Sequence, residues 1–540
     1  MFSAFIAPLF TLLNSLPGTW EMRFPSVHFL LFLPVAVAVY FILPKNKLRA
    51  VWLLLASYYF YLFAAPVYLP VLLLGTLGTY LLGFFVGIGK KSRTRHICLV
   101  FAVAACVFTL SFFKYNEFLF SGFLAPLLAG WGVAYSPQLF SSAAVLGISY
   151  YTFTALGYLI DIARGDILPE KNLLDYALFL GFFPSVTMGP ISRSGGLLPQ
   201  LKDNTRRFNP DTAAGALLLM ATGFFKKMAV ADTLNLFTKA VYASPEALQS
   251  YSGLTLALAA FIFMLQLYFD FSGYSDIAMG AAQLLGIQIP QNFANPYFST
   301  NFSGFWARWH MSLSCWLQDY IFTPLVWSRW PEKLPVIGKK ITAPPVLSSI
   351  ATVFLISGLW HGDTFSFFVW GALQAAFRIG EELLHRTIGK PKKRLPLWQR
   401  AGKIAIVLTL WAESLVFFRV GMMPGGRAGD ALSALGRQFT GLSLTQTAND
   451  IFAALLPPML DKAILVYLLL AFSLFCLAVA LAADWWQCFH LRGKRLDAAI
   501  RALPAAGRWA VYLLLVLLCF AAFLLQNGGF TGASFLYNQF

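Results

Sequence analysis

Long apolar runs alternate with short basic loops along this chain. A membrane-spanning helix needs about 17–25 predominantly apolar residues. Runs at 28–43, 51–65 and 67–89 meet or approach that length. The first ends at the basic loop 45–49, and the third at Lys90, Lys91, Arg93, Arg95 and His96; only an uncharged turn at Pro66 lies between. Basic loops mark the cytoplasmic side, so this spacing predicts an extracytoplasmic N-terminus. Further apolar runs fall at 97–113, 139–160, 254–271, 345–361, 365–379, 404–418, 464–483 and 512–525. The run 118–130 is short enough to be re-entrant, 213–225 carries apolar helix into Lys226 and Lys227, and 172–189 leads into Pro184, Gly189, Pro190, Gly195 and Gly196, which break any helix there. Broken backbone beside a span is tolerated only where protein or water covers it. The pattern predicts an all-α polytopic membrane protein of roughly a dozen spans. Between 421 and 449 it predicts a Gly- and Ser-rich loop with a helical piece.

One stretch departs from the pattern. Residues 292–325, NFANPYFSTNFSGFWARWHMSLSCWLQDYIFTPL, are crowded with polar and aromatic side chains between Pro296 and Pro324. Ser303 is the expected N-cap of a helix through its middle. On that helix Phe302, Trp306, Trp309, Leu313, Trp316 and Tyr320 form an apolar stripe. Arg308, Ser312, Cys315 and Asp319 form a second stripe, and His310, Ser314 and Gln318 a third at i, i+4 spacing. Such a helix is too polar to face lipid all round; it belongs at an interface or along a cavity.

Composition agrees. Hydrophobic residues make up 58%, charged residues 12%, and mean hydropathy is +0.67, whereas soluble domains run near half apolar and a quarter charged. The net charge of +17 sits mostly in loops between apolar runs, so topology, not nucleic acid, accounts for it. The six cysteines include no CxxC pair, which argues against a metal site or a disulfide framework. The N-terminal MFSAFIAPLFTLLNSL lacks a basic n-region and reads as a short interfacial segment instead of a signal peptide.

Candidate chemistry is sparse. Of six histidines, His96, His385 and His490 lie in or beside basic loops and His28 opens the first span. His310 lies in the polar helix. His361 follows Trp360 at the end of the run 345–361, about 22 Å along a helix. A neutral imidazole in apolar surroundings is a usable general base; a structural hydrogen bond to a carbonyl is the competing role for either ring. Asp270 and Asp276 lie in the apolar QLYFDFSGYSDIAMG, where they would orient a histidine, pair with Arg308 or anchor a helix junction. No third ligand has zinc spacing, and no GxSxG elbow supports a serine triad. Intramembrane Asp, His and Arg also suit a transporter, which predicts inverted repeats, or a non-catalytic export scaffold, which tolerates loss of both histidines.

QLYFDFSGYSDIAMG, the polar stretch through DYIF, and SGLWHGDTFSFFVWG together resemble the membrane-bound O-acyltransferase family, in particular its bacterial alginate O-acetyltransferase branch. ISYYTFTALGYLIDIARGD, MGPISR and GFFKKMAVAD fit as well. The chain departs from that branch in the loop after the polar helix, which reads TPLVWSRWPEK. The resemblance implies a ring of roughly 11–13 tilted helices, with re-entrant segments, around a central tunnel. It implies a segment 1–27 at the interface, a catalytic core 28–420, and a C-terminal loop with additional spans over 421–540. It makes His361 the catalytic residue and His310 the second signature position, with Arg308, Asp319, Asp270, Asp276, Trp360 and Ser314 around them. The implied reaction moves an acyl group, foremost acetyl, from a cytoplasmic thioester (acetyl-CoA or an acyl carrier protein) toward an extracytoplasmic glycan, with no tightly bound cofactor and no metal. An SGNH-type or single-pass partner completes the transfer in such systems. The acceptors implied are alginate, cellulose, peptidoglycan or, with D-alanine, teichoic acid. The expected location is the bacterial plasma (inner) membrane.

Overall fold

The computed structural model describes residues 22–45, 47–89, 92–115, 145–203, 205–328, 344–389, 396–457, 462–491 and 496–526. Most of the expected N-terminal interfacial segment, the short run 118–130 and the basic loop at 333–340 lie outside the described residues. Within them every regular element is helical. Seven helices are long and apolar enough to cross a membrane, and Val27–Ile42 and Pro345–His361 are shorter apolar helices. The chain is a multi-pass membrane protein.

The described chain divides into two compact units, 22–221 with 274–291, and 222–273 with 292–526. In the first, the apolar run from 172 does not span. Asn172 caps the helix Leu173–Gly181 by accepting from the Leu174 N–H at 3.1 Å. That helix is nine residues long, about 13 Å. It stops at Phe182, makes the turn Phe183–Val186, and the chain returns as Ser194–Lys202. Lys202 Nζ pairs with Glu170 Oε2 at 2.9 Å, which ties the returning end to the residues before the entering helix. The excursion is therefore re-entrant. Its turn carries Phe182, Phe183, Val186, Met188 and Ile191, all buried. A side chain on Gly189 would collide with the Pro184 carbonyl and Ser185, so only glycine fits.

In the second unit, the expected junction beside Asp270 is absent. One unbroken helix runs Gly253–Leu284, of which 253–273 belongs to this unit. Gly273 does not break it; a Cβ there would lie 2.8 Å from the Gly223 carbonyl, so the glycine marks a close backbone approach. The helix Pro210–Phe224, whose residues 222–224 belong to this unit, continues through a π-turn, Phe225–Ala231, into Asp232–Val241. Lys227 in that turn is not a basic helix end. It is buried, with Nζ 2.6 Å from Asp270 Oδ1 and 2.8 Å from Asp232 Oδ1. A buried lysine is tolerable only when paired in this way. The expected loop 421–449 contains the helix Ala428–Arg437 and the start of Leu444–Leu455.

The polar stretch is not one helix either. Asn301, not Ser303, caps Phe302–Trp306, accepting from the Gly304 N–H at 2.6 Å. The chain then turns, and a second helix, Met311–Leu317, starts at His310 and passes into a π-turn, Gln318–Phe322. His310 itself has φ 42° and ψ 54°, a left-handed conformation costly for a residue with a Cβ. The preceding loop holds it there. The Ala294 N–H donates to the Arg308 carbonyl at 3.0 Å and the Met311 N–H to the Asn292 carbonyl at 2.9 Å. Asn292 Oδ1 accepts from the Ser312 hydroxyl at 2.6 Å.

Next come the helices Pro344–His361 and Phe365–Ile388, a hairpin with its turn at 362–364. They meet backbone to backbone. A Cβ on Gly358 would lie 2.6 Å from the Phe367 carbonyl, and one on Gly371 would lie 2.5 Å from the Phe354 carbonyl.

Two outcomes follow. Gly371→Ala overpacks the hairpin and lowers stability by about 1–3 kcal/mol, whereas Gly380→Ala, with open space at its Cβ, is neutral or slightly stabilising; thermal melts of the purified protein in detergent compare them, and equal melts would refute the close-packing account. Asn292→Ala removes the acceptor of the Ser312 hydroxyl and costs about 1–3 kcal/mol, read by the same melts; an unchanged melting temperature would show that the loop holds His310 by other means.

Candidate functional site

Both candidate histidines are buried in the second unit. His361 closes its helix and is 4% exposed. Its ring meets Phe418 at 4.8 Å and Trp370 at 5.1 Å, both nearly perpendicular, and Trp360 at 4.5 Å. His310 is 2% exposed. It meets Phe271 edge-on at 4.7 Å and Trp360 at 6.5 Å. Trp360 is thus the shared neighbour of both imidazoles. Burial pushes the His310 pKa down to about 3, so its neutral ring is the working form at ordinary pH.

His310 opens onto a cavity of about 420 Å³. His310, Ser314 and Gln318, the third stripe of the sequence pattern, all line it, with Ser303, Ser357 and Arg378 as further polar lining. Trp306, Leu313, Val353 and Phe354 are among its apolar walls. A mainly apolar cavity with a few placed polar groups suits a small or elongated ligand. Outside the cavity lining, Trp309 stacks on Phe305 and Tyr297 at 5.5 and 6.1 Å, and Tyr268, which donates to Asp484, packs beside it. These rings fix the turn that carries His310.

The remaining residues scatter. Arg308 does not line the cavity; its side chain reaches Cys488, and its carbonyl takes part in the loop that holds His310. Asp319 is exposed on the π-turn. Asp270 pairs with Lys227, one residue before the Phe271 that packs on His310. Asp276 is half-buried in the first unit. No group of three or more His, Cys, Asp or Glu among the described residues could hold a metal ion.

Sequence reasoning passed over the helix Phe365–Ile388 as an apolar span. It carries Ser366, Trp370, Gln374 and Arg378 at four-residue steps, a ridge running from the contact with His361 to the cavity wall. The spacing was available as a signal, but lone polar residues among Phe, Val and Ala read as ordinary interruptions of a span.

The profile of MBOAT, the membrane-bound O-acyltransferase family, matches residues 168–411, a segment that holds both histidines and the hairpin. The chain is 34% identical over 349 residues to the probable alginate O-acetylase AlgI of Pseudomonas aeruginosa, which covers 64% of this chain and 63% of that protein. It is 33% identical over 387 residues to the probable alginate O-acetylase AlgI of Azotobacter vinelandii, 71% of this chain and 73% of that one. It is 32% identical over 371 residues to the peptidoglycan O-acetyltransferase of Helicobacter pylori, 63% of this chain and 67% of that one. With matches of this length and identity, the chain belongs to the membrane-bound O-acyltransferase family.

Proposed function

We propose that this protein is an O-acyltransferase that takes an acyl group, foremost acetyl, from a cytoplasmic thioester and passes it toward an extracytoplasmic polysaccharide. The observation that carries the reading is the pair of buried imidazoles sharing Trp360, one of them opening onto a cavity of about 420 Å³. The similarity to alginate and peptidoglycan O-acetylating proteins supports acetyl as the group and a glycan as the destination. Teichoic acid D-alanyltransferases are more distant relatives, so D-alanine is the weaker choice.

In this mechanism a nitrogen of His361 takes the proton of the attacking hydroxyl. The hydroxyl oxygen bonds to the thioester carbon, and the carbonyl π pair moves onto its oxygen. That pair then returns, the C–S bond breaks, and the thiolate takes the proton from the imidazolium. The aromatic rings around His361 exclude water, which limits hydrolysis of the thioester. His310, neutral, positions the donor from the cavity side. The donor is acetyl-CoA or an acyl carrier protein, and the hydroxyl belongs to an SGNH-type or single-pass partner, or to the glycan itself. In this reading the protein sits in the bacterial plasma membrane, and the spacing of the basic loops supports an N-terminus outside.

His361→Ala is expected to lower acetyl transfer by about 100-fold or more, with membrane expression and melting temperature near wild type, read as O-acetyl content of the glycan in cells and as transfer by the purified protein. Full acetylation by a normally expressed variant would remove His361 from the chemistry. His310→Ala is expected to raise the donor KM; unchanged KM and kcat would leave His310 a structural role only.

A further inference from the structure

Two spans of the second unit meet at their ends, the helix Leu397–Gly421 at its start and the helix Ala463–Phe489 at its close. Arg400 on the first lays its guanidinium over the ring of Phe489 on the other, 5.0 Å from the centroid. Phe298 packs edge-on to the same ring at 5.6 Å. The next residue, Cys488, faces two arginines: the Arg308 side chain donates to its sulfur, and Arg400 lies within electrostatic range of it. Among the described residues neither arginine is paired with a carboxylate. The carboxylate that faces Cys488 is Asp484, one turn earlier; it is buried and accepts from the Tyr268 hydroxyl. A thiol is a weak acceptor, whereas each guanidinium carries five N–H donors in a fixed fork. Two half-buried guanidinium groups drawn to one sulfur therefore leave most of their donors to be met from outside the protein. The group that answers such a fork best is a phosphate, bound bidentately.

The surroundings choose the source of the phosphate. Trp398, Trp485 and Trp486, beside the two arginines in the chain ends, are 74%, 47% and 48% exposed, and His490 stacks on Trp486 at 4.4 Å. Tryptophans exposed at the end of a span mark the membrane interface. Farther along, both helices turn apolar side chains outward, Ile406 and Leu410 on one, Leu474 and Phe475 on the other. That is a surface for hydrocarbon. The sequence beyond both ends is basic, KPKKR at 390–394 and RGKR at 492–495, which draws anionic lipid to this leaflet. A soluble phosphate makes no use of the apolar faces. A phospholipid matches the arginines with its headgroup and the outward faces with its chains.

We propose that Arg308 and Arg400 clamp the headgroup phosphate of an anionic phospholipid whose chains lie along the outward faces of these two helices. The phosphate oxygens take the N–H groups that Cys488 meets poorly, and they separate the two like charges. Arg308 also ties the lipid to the interior, because its carbonyl accepts from the Ala294 N–H in the loop that holds His310. The site stands whether or not the protein transfers acyl groups.

The test uses the full chain purified in an uncharged detergent, with its melting temperature followed as phosphatidylglycerol is added. Binding to the folded state raises that temperature in a saturable way. Diacylglycerol with the same chains is expected to raise it far less. Arg400→Gln and Arg308→Gln are each expected to weaken the apparent phosphatidylglycerol affinity about tenfold, the worth of one hydrogen-bonded charge. Lys171→Gln, the same charge change at an exposed lysine, is expected to leave it unchanged. Equal affinity in wild type and both arginine variants, or an equal rise with diacylglycerol, overturns the site. A rise with millimolar inorganic phosphate as large as with the lipid, lost in the same variants, also overturns the proposal, since the clamp would then serve a soluble phosphate. If either glutamine variant fails to fold, Arg400→Lys decides: it keeps the charge and loses the fork, so affinity is expected to fall about threefold, and affinity equal to wild type overturns the clamp.

Discussion

At Gly358 and Gly371 two helices touch with no side chain between them, and the second unit's candidate site depends on that contact. A Cβ at either position would strike the partner's carbonyl. Because the backbones are so close, the turn at 362–364 can be tight, and His361 is fixed at the tip of the hairpin with Trp370 against its ring. The same contact aims the ridge of Ser366, Trp370, Gln374 and Arg378 between His361 and the cavity wall. Side chains of ordinary size at those two glycines would spread the helices and separate the groups that must act together.

His310 is fixed by a different device. Its left-handed backbone is costly for a non-glycine residue, and three hydrogen bonds from the loop 292–294 hold the chain in it. The stack of Tyr297, Phe305 and Trp309 backs the turn. One side of the turn is thereby rigid, and the imidazole is presented, neutral, to a cavity. Strain held by its surroundings is common where a side chain must be aimed precisely enough for chemistry.

The buried Lys227 with its two carboxylates is a third constraint. A π-turn widens the helix at 225–231, which lets the lysine reach Asp232 within its own segment and Asp270 on the long helix. In an apolar setting neither the lysine nor the carboxylates would be stable alone. The pairing fixes the register of the long helix, and so the position of Phe271 beside His310.

Periodicity and composition by themselves determined the class of this protein. Apolar runs of spanning length, basic loops and the long motifs around His310 and His361 were sufficient for a helical membrane protein and for its resemblance to acyltransferases, because hydrophobic length and local motif are properties of contiguous residues. The same was true of the break after the run from 172, since Pro184, Gly189 and Pro190, crowded into seven residues, interrupt a continuing helix there. Tertiary structure alone decided the rest. A continuous helical pattern hid the break at His310, because the loop that stabilises it comes from 292–294, outside the pattern. Asp270 suggested a histidine or Arg308 as partner, but its partner is Lys227, 43 residues earlier, brought in by a π-turn that no spacing rule announces. The ridge from Ser366 to Arg378 was present as letters, yet only burial showed that Ser366, Trp370 and Gln374 hold polar atoms in a dry interior: unmet hydrogen bonds are a property of the packed neighbours, which the sequence does not state.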